Sequence, residues 1–536
     1  MDTQLHNPLE NEESHGGLPP ALFSLTKRDT AFVICALAAS VFLSLFGIFG
    51  GFALGYLLSV VMLFILFAVY FAKSGRVRFF PAVCGLLSLA NGAIFLCTTN
   101  GGVRFFGVIT GLLLSLVCFD GFVNGTSVGN RQTLGVFYSA VSTFGNTVPA
   151  VKALFTNGKG DKKQIGKALV GLLCAIPVLI VIVPLLLSSD DAFRGMMSDI
   201  FDNTFTTLMK TVFGVLICPF IIAYGFSLKS GRVAKMKKGS FSGVENIYLI
   251  SFLSAISACY LLYLFSQLAY FFSAFQGFLP DGEITYAAYA RKGFFEMCVI
   301  AVINLVIVFG ALLLSKKENG KVCHGIKTIA TFISAFTLII IATAISKMVL
   351  YIDAYGMTVL RVTTSAFMLF LSIVFISVIL WIYFKKINVI KTALLAASGI
   401  LMILGTVNVN AVCARYNYES YKSKKLDTID VQQLYELGYE GIPYVVKLAS
   451  DKQFDVSYEA KSCLAEAYLY DYFDDMAQVK GFTVDDLKKN QKAGGFERFS
   501  IPKAAAYDSL YDYIESHPGF GTVCQAYFEE TEAVYY

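Results

Sequence analysis

Apolar runs of about 20 residues recur between residues 31 and 412, separated by short polar loops. That is the length a helix needs to cross a hydrocarbon core about 30 Å thick. Residues 31–72 carry no charge and are broken only by Phe46-Gly-Ile-Phe-Gly-Gly51, which leaves room for two spans joined by a tight hairpin. Further spans are expected near 79–99, 104–124, 167–188, 206–228, 246–272, 293–314, 326–350, 359–384 and 390–412, about eleven in all. Short alternating strands of the kind that build membrane barrels are not evident. The fold class is therefore all-α, a polytopic membrane helix bundle. Pro177, Pro184 and Pro219 fall inside spans, where neighbouring helices can satisfy the freed backbone groups.

The loops alternate in charge. One set holds Lys27 and Arg28, then Lys73, Arg76 and Arg78, then Arg131, Lys152 and Lys159 to Lys167, Lys229 to Lys238, Lys316 to Lys327, and Lys385 to Lys391. The intervening loops hold only Arg104, Arg194, Lys210, Arg291, Lys292, Lys347 and Arg361. Cytoplasmic loops collect positive charge, so the amino terminus is expected inside and the carboxyl terminus outside. The same alternation assigns the apolar but Ser-, Thr- and Asn-containing segment Leu134 to Phe155 to an interfacial or re-entrant helix on the cytoplasmic side. Residues 1–26 read as a disordered leader without the order of a cleavable signal.

Past residue 412 the pattern changes. From Cys413 to Tyr536 acidic residues outnumber basic ones by about eight, and over half of the 29 tyrosines lie here. The expected organisation is a leader (1–26), a transmembrane helical domain (27–412) and an extracytoplasmic helical domain (413–536). Helical spacing dominates that last part: Val431 to Gly438 ends at a glycine stop, Tyr458 to Met476 repeats apolar positions, and Ser500-Ile-Pro502 opens a segment reaching Ile514.

Composition agrees with the pattern: 56% of residues are hydrophobic, only 15% are charged, and the mean hydropathy is +0.64, against about a quarter charged in soluble proteins. The 12 cysteines occur singly, mostly inside apolar runs where a thiol packs as a small hydrophobe. Cys413, Cys463 and Cys524 are expected outside, where a single disulfide would be permitted. None of the four histidines, His6, His15, His324 and His517, lies in a span, which argues against an embedded His-ligated metal or a Ser-His pair. No cofactor motif and no Walker-type loop is present. The basic loops suit anionic lipid rather than nucleic acid, since no aromatic interleaving accompanies them.

Candidate chemistry concentrates at the outer ends of three spans. Tyr289, Arg291 and Glu296 flank the start of one helix, with Asn304 about two turns further along nearly the same face. Lys347 and Tyr351 lie a turn apart at the end of the next, and Asp353, Tyr355 and Arg361 occupy the link that turns at Gly356. Charged groups there are costly and need partners, and Lys347 or Arg361 is the natural partner for Glu296. Such a network can pin helices together, or it can line a pocket for a head group, sugar or peptide with tyrosine walls.

Three stretches carry a family resemblance: Tyr289-Ala-Arg-Lys-Gly-Phe-Phe-Glu296 with Asn304; Lys347-Met-Val-Leu-Tyr-Ile-Asp-Ala-Tyr-Gly356 with Arg361; and Asn408-Val-Asn-Ala-Val-Cys-Ala-Arg-Tyr-Asn417 with Lys425-Leu-Asp. The chain resembles the domain-of-unknown-function families numbered 4173 and 4153, best over about 246–450. The resemblance implies a bacterial multi-pass inner-membrane protein with an extracytoplasmic helical tail, and it supplies no reaction. The reading that follows is an envelope sensing or scaffolding protein whose partners are the bilayer and an extracytoplasmic protein, glycan or lipid head group. The alternatives are a transferase acting on a lipid-linked substrate, with Glu296 or Asp353 as base, and a transporter.

Overall fold

The computed structural model describes residues 26–73, 78–124, 130–156, 182, 191–231, 243–275, 294–317, 322–384, 386–451, 453–472, 496–520, 523–524 and 527. Seventeen α-helices run through them, and the fold is all-α. They are α1 (Lys27–Phe42), α2 (Leu54–Phe71), α3 (Phe79–Cys97), α4 (Gly101–Val123), α5 (Asn130–Phe144), α6 (Thr147–Thr156), α7 (Asp191–Ser230), α8 (Asn246–Phe275) and α9 (Phe294–Leu314). Next come α10 (His324–Tyr355), α11 (Val359–Tyr383), α12 (Val389–Thr406), α13 (Val409–Lys422), α14 (Val431–Tyr435), α15 (Ile442–Ala449), α16 (Phe454–Tyr472) and α17 (Ile501–Ser516).

Ten of the described helices are long and apolar enough to cross a membrane. They correspond to ten of the expected spans, and the eleventh, near 167–188, lies outside the described residues apart from residue 182. Leu262, Phe265 and Val306 on these helices are 73%, 69% and 67% exposed. Apolar side chains so open to the surroundings belong in lipid, and the chain is a multi-pass membrane protein.

Local chemistry sets the breaks. The uncharged 31–72 run divides where a π-helical turn over Leu43–Ile48 meets Gly51 at φ +85° and Phe52 at φ +51°. The single interfacial helix expected over 134–155 is instead two helices, α5 and α6, divided at Gly145 and Asn146, whose amide bonds Ser227 Oγ at 3.0 Å. The last span ends at Thr406 rather than near 412, because Asn408 takes a left-handed conformation (φ +58°) and its side chain caps α13 by accepting from Ala411 N–H at 3.4 Å. Helices 13 to 17 then fold over one end of the bundle. Their core, built on Val431, Leu434, Leu464 and Leu510, continues into Ile94 of α3 and Val103 of α4.

The opposite end is fastened at α1. Thr26 and Asp29 form a reciprocal capping box. Asp29 also accepts from Tyr70 Oη at 2.7 Å and pairs with Lys229 at 2.5 Å, tying α1, α2 and α7 together.

Candidate functional site

Where the C-terminal helices meet the bundle, the short link between α3 and α4 supplies three polar residues, Thr98, Thr99 and Asn100. Glu440, only 4% exposed, accepts from Thr99 N–H at 2.8 Å, from the Thr99 hydroxyl, and from Asn408 Nδ2 at 3.1 Å. A carboxylate so buried is tolerable only when its oxygens are satisfied, and here three donors surround it. Asn408 also donates to Cys97 O at 2.7 Å. Beside it, Asn100 Nδ2 donates to Asn410 Oδ1 at 2.8 Å, and Asn410 Nδ2 donates to Leu437 O at 2.9 Å. The result is a closed polar seam joining α3 and α4 to α13 and the turn before α15.

A second joint lies at the α10–α11 link. Gly356 turns there with φ +78°. Asn417 of α13 accepts from Met357 N–H at 2.7 Å and donates to Met357 O at 2.8 Å. Arg361 donates to Tyr355 O at 3.1 Å and to Gly356 O, while its guanidinium lies 4.0 Å from the centroid of the Tyr351 ring. Asp353 pairs with Lys425 at 2.9 Å and accepts from Tyr416 Oη at 3.5 Å. The pairing pushes the Lys425 ammonium above its ordinary value.

The sequence-derived site residues therefore fall into separate places. Tyr351, Asp353, Tyr355 and Arg361 gather at the second joint, and Lys347 is half-buried one turn before Tyr351 on α10. Asn304 is fully buried deeper in the bundle, accepting from Tyr260 Oη at 2.5 Å and donating to Thr337 Oγ1 at 2.9 Å, a link from α8 through α9 to α10. Glu296 is exposed in the first turn of α9. Among the described residues it forms no ion pair, so its expected pairing with Lys347 or Arg361 is not found: the Arg361 guanidinium is turned to Tyr351 and to backbone carbonyls. Tyr289 and Arg291 lie outside the described residues.

Two cavities flank the turn between α1 and α2. One, of about 630 Å³, is apolar and runs inside the bundle past Tyr56, Phe67, Phe119, Phe144 and Tyr224. The other, of about 560 Å³, opens at the seam and is lined by Gly51, Thr99, Arg104, Tyr439, Arg498 and Lys503 among others. Cys413, Cys463 and Cys524 are all buried free thiols, so the permitted disulfide is not formed.

Glu440, Arg498 and Lys503 escaped sequence reasoning, since each sits singly in an acidic helical tail. The one signal was Asn408-Val-Asn410, two amides at the end of an apolar run.

A family model described as "Domain of unknown function (DUF4153)" matches residues 57–448. The chain belongs to this family. Of the two families it resembles in sequence, this is the one shown, and the match reaches back through α2 to α8, well ahead of the motif-bearing stretches. The DUF4153 region holds both sides of the seam, Thr98 to Asn100 and Asn408 to Glu440, whereas Arg498 and Lys503 lie beyond it. No curated protein and no solved structure matches the chain.

Proposed function

We propose that this DUF4153 protein is a non-enzymatic sensor or scaffold of the bacterial cell envelope. It resides in the cytoplasmic (inner) membrane and holds its C-terminal helices in a fixed pose on the outer face for an extracytoplasmic partner. The observation that carries the reading is the buried seam around Glu440: a domain on a loose tether would not bury a carboxylate against the bundle with every donor matched. Asp353, a candidate base for transfer chemistry, is already engaged by Lys425 and Tyr416, which favours mounting over catalysis.

Charge supports the orientation. Arg28, Lys73, Arg78, Lys229, Lys316, Lys317 and Lys386 all belong to the end of the bundle remote from the seam, the distribution expected of a cytoplasmic face. The test is photocrosslinking in intact cells from position Tyr458, which is 50% exposed, in the full chain. One reproducible envelope protein or surface glycan is expected, lost when the second joint is broken by Asn417→Ala. Recovery of no envelope partner, or recovery unchanged by Asn417→Ala, would overturn the reading.

A further inference from the structure

The seam cleft is unusual in its charge. Arg104, Arg498 and Lys503 all line it, and among the described residues no Asp or Glu does. The Glu440 carboxylate, whose charge acts on Arg104, is committed to Thr99 and Asn408. Arg104 is held in place by donating to Thr98 O at 2.8 Å and Gly51 O at 3.0 Å. Lys503 is steadied between two rings, 5.5 Å from the Tyr439 centroid and 5.6 Å from that of Tyr507. Arg498 is exposed and has no ion-pair partner among the described residues. Two guanidiniums and an ammonium, with Ser500 and the tyrosines alongside, are the donor set that recognises a phosphate group.

The position of the cleft selects the source of that phosphate. Its floor is the turn between α1 and α2 and the first turn of α4, the level at which helices leave the hydrocarbon. The lining residues Arg498, Ser500 and Lys503 alternate with Phe496, Phe499 and Ile501, which are 56%, 50% and 56% exposed. Phe496 stacks on Phe46 of the bundle with ring centroids 5.7 Å apart, and Phe499 O accepts from Leu54 N–H at 3.2 Å. An apolar fringe packed against a membrane helix beside a cationic cleft matches a molecule with a phosphate head and acyl tails. We infer that the cleft formed by Arg104, Arg498 and Lys503 binds the phosphate head group of an anionic lipid, with Phe496, Phe499 and Ile501 against its acyl region.

Native mass spectrometry of the full-length protein in detergent, titrated with phosphatidylglycerol or phosphatidylcholine, tests this. A single retained phosphatidylglycerol, favoured about tenfold over phosphatidylcholine, is expected. The preference should fall to near parity in Arg498→Gln/Lys503→Gln and persist in Lys316→Gln/Lys317→Gln at the other end of the bundle. Unchanged thermal unfolding of the cleft variant shows that it still folds. Equal retention of the two lipids, or a preference untouched by the cleft variant, overturns the inference. Displacement of the lipid by millimolar inorganic phosphate would overturn the lipid assignment and make free phosphate the ligand. None of these outcomes bears on whether the C-terminal helices present a surface to an envelope partner, which the crosslinking experiment decides separately.

Discussion

The side-chain amide of Asn417 grips the backbone of Met357 at both ends, accepting from its N–H at 2.7 Å and donating to its carbonyl at 2.8 Å. One side chain of α13 thereby completes the hydrogen bonding of the link between two membrane helices. The geometry depends on Gly356, whose φ of +78° is strained for any other residue and whose added Cβ would meet Asn417 Oδ1 at 2.7 Å.

Asn417→Ala should lower stability by about 2–4 kcal/mol, since two backbone groups lose partners at a half-buried site. Gly356→Ala should cost a comparable amount, through backbone strain and the clash with Asn417. Thermal unfolding in detergent measures both. The double variant should lose less than the sum, because both changes break the same joint.

Glu440→Leu leaves the Thr99 N–H, the Thr99 hydroxyl and one of the two Asn408 amide hydrogens (the other keeps Cys97 O) without an acceptor, and each unsatisfied buried group costs about 1–3 kcal/mol. Glu440→Gln keeps one acceptor oxygen and should be milder. Limited proteolysis of the C-terminal helices reports the difference: cleavage should quicken in the order wild type, Glu440→Gln, Glu440→Leu. Equal protease resistance in all three would show that the seam does not hold these helices down.

Much of this architecture was legible in the chain because a membrane span announces itself by length and apolar content. The breaks were less so: Asn408 ends α12 through a left-handed backbone, and the two amides of Asn408 and Asn410 mark the end of the apolar run without fixing which residue turns. Glu440 was invisible for a different reason. Its acceptors' partners stand 341 residues away at Thr99 and 32 away at Asn408, and no periodicity links positions so distant. Tyr351, Asp353, Tyr355 and Arg361 could be grouped in sequence because they lie on or beside one short link. Their partners Tyr416, Asn417 and Lys425 could not, since they come from the helices that fold back over it.

Burial pushes the thiols of Cys413, Cys463 and Cys524 each up to about 12, from an ordinary value near 9. At Cys463 the neighbouring carboxylates of Glu459, Glu466 and Asp430 add to the effect. A thiol held protonated in the fold but free to ionise when unfolded gives stability that is complete below about pH 9 and is lost progressively toward pH 12. The Lys422 ammonium, raised by its 2.8 Å bond to Asp451, acts in the same direction, because that pairing also fades as the ammonium deprotonates. The C-terminal helices should therefore unfold at lower temperature as pH rises from 9 to 11. In the native protein at neutral pH, maleimide should leave the three thiols unmodified until denaturant is added. Rapid native labelling, or a flat alkaline stability profile, would contradict the burial.

Zero-length carbodiimide coupling of the unmodified protein tests directly whether the C-terminal helices are seated on the bundle. Lys425 and Asp353 bridge the joint at 2.9 Å with side chains 48% and 56% exposed, while Lys422 and Asp451 pair at 2.8 Å within the C-terminal helices. Peptide mapping should recover both the Lys425–Asp353 and the Lys422–Asp451 amide links. Recovery of the internal link without the Lys425–Asp353 link would mean that the helices fold but do not dock.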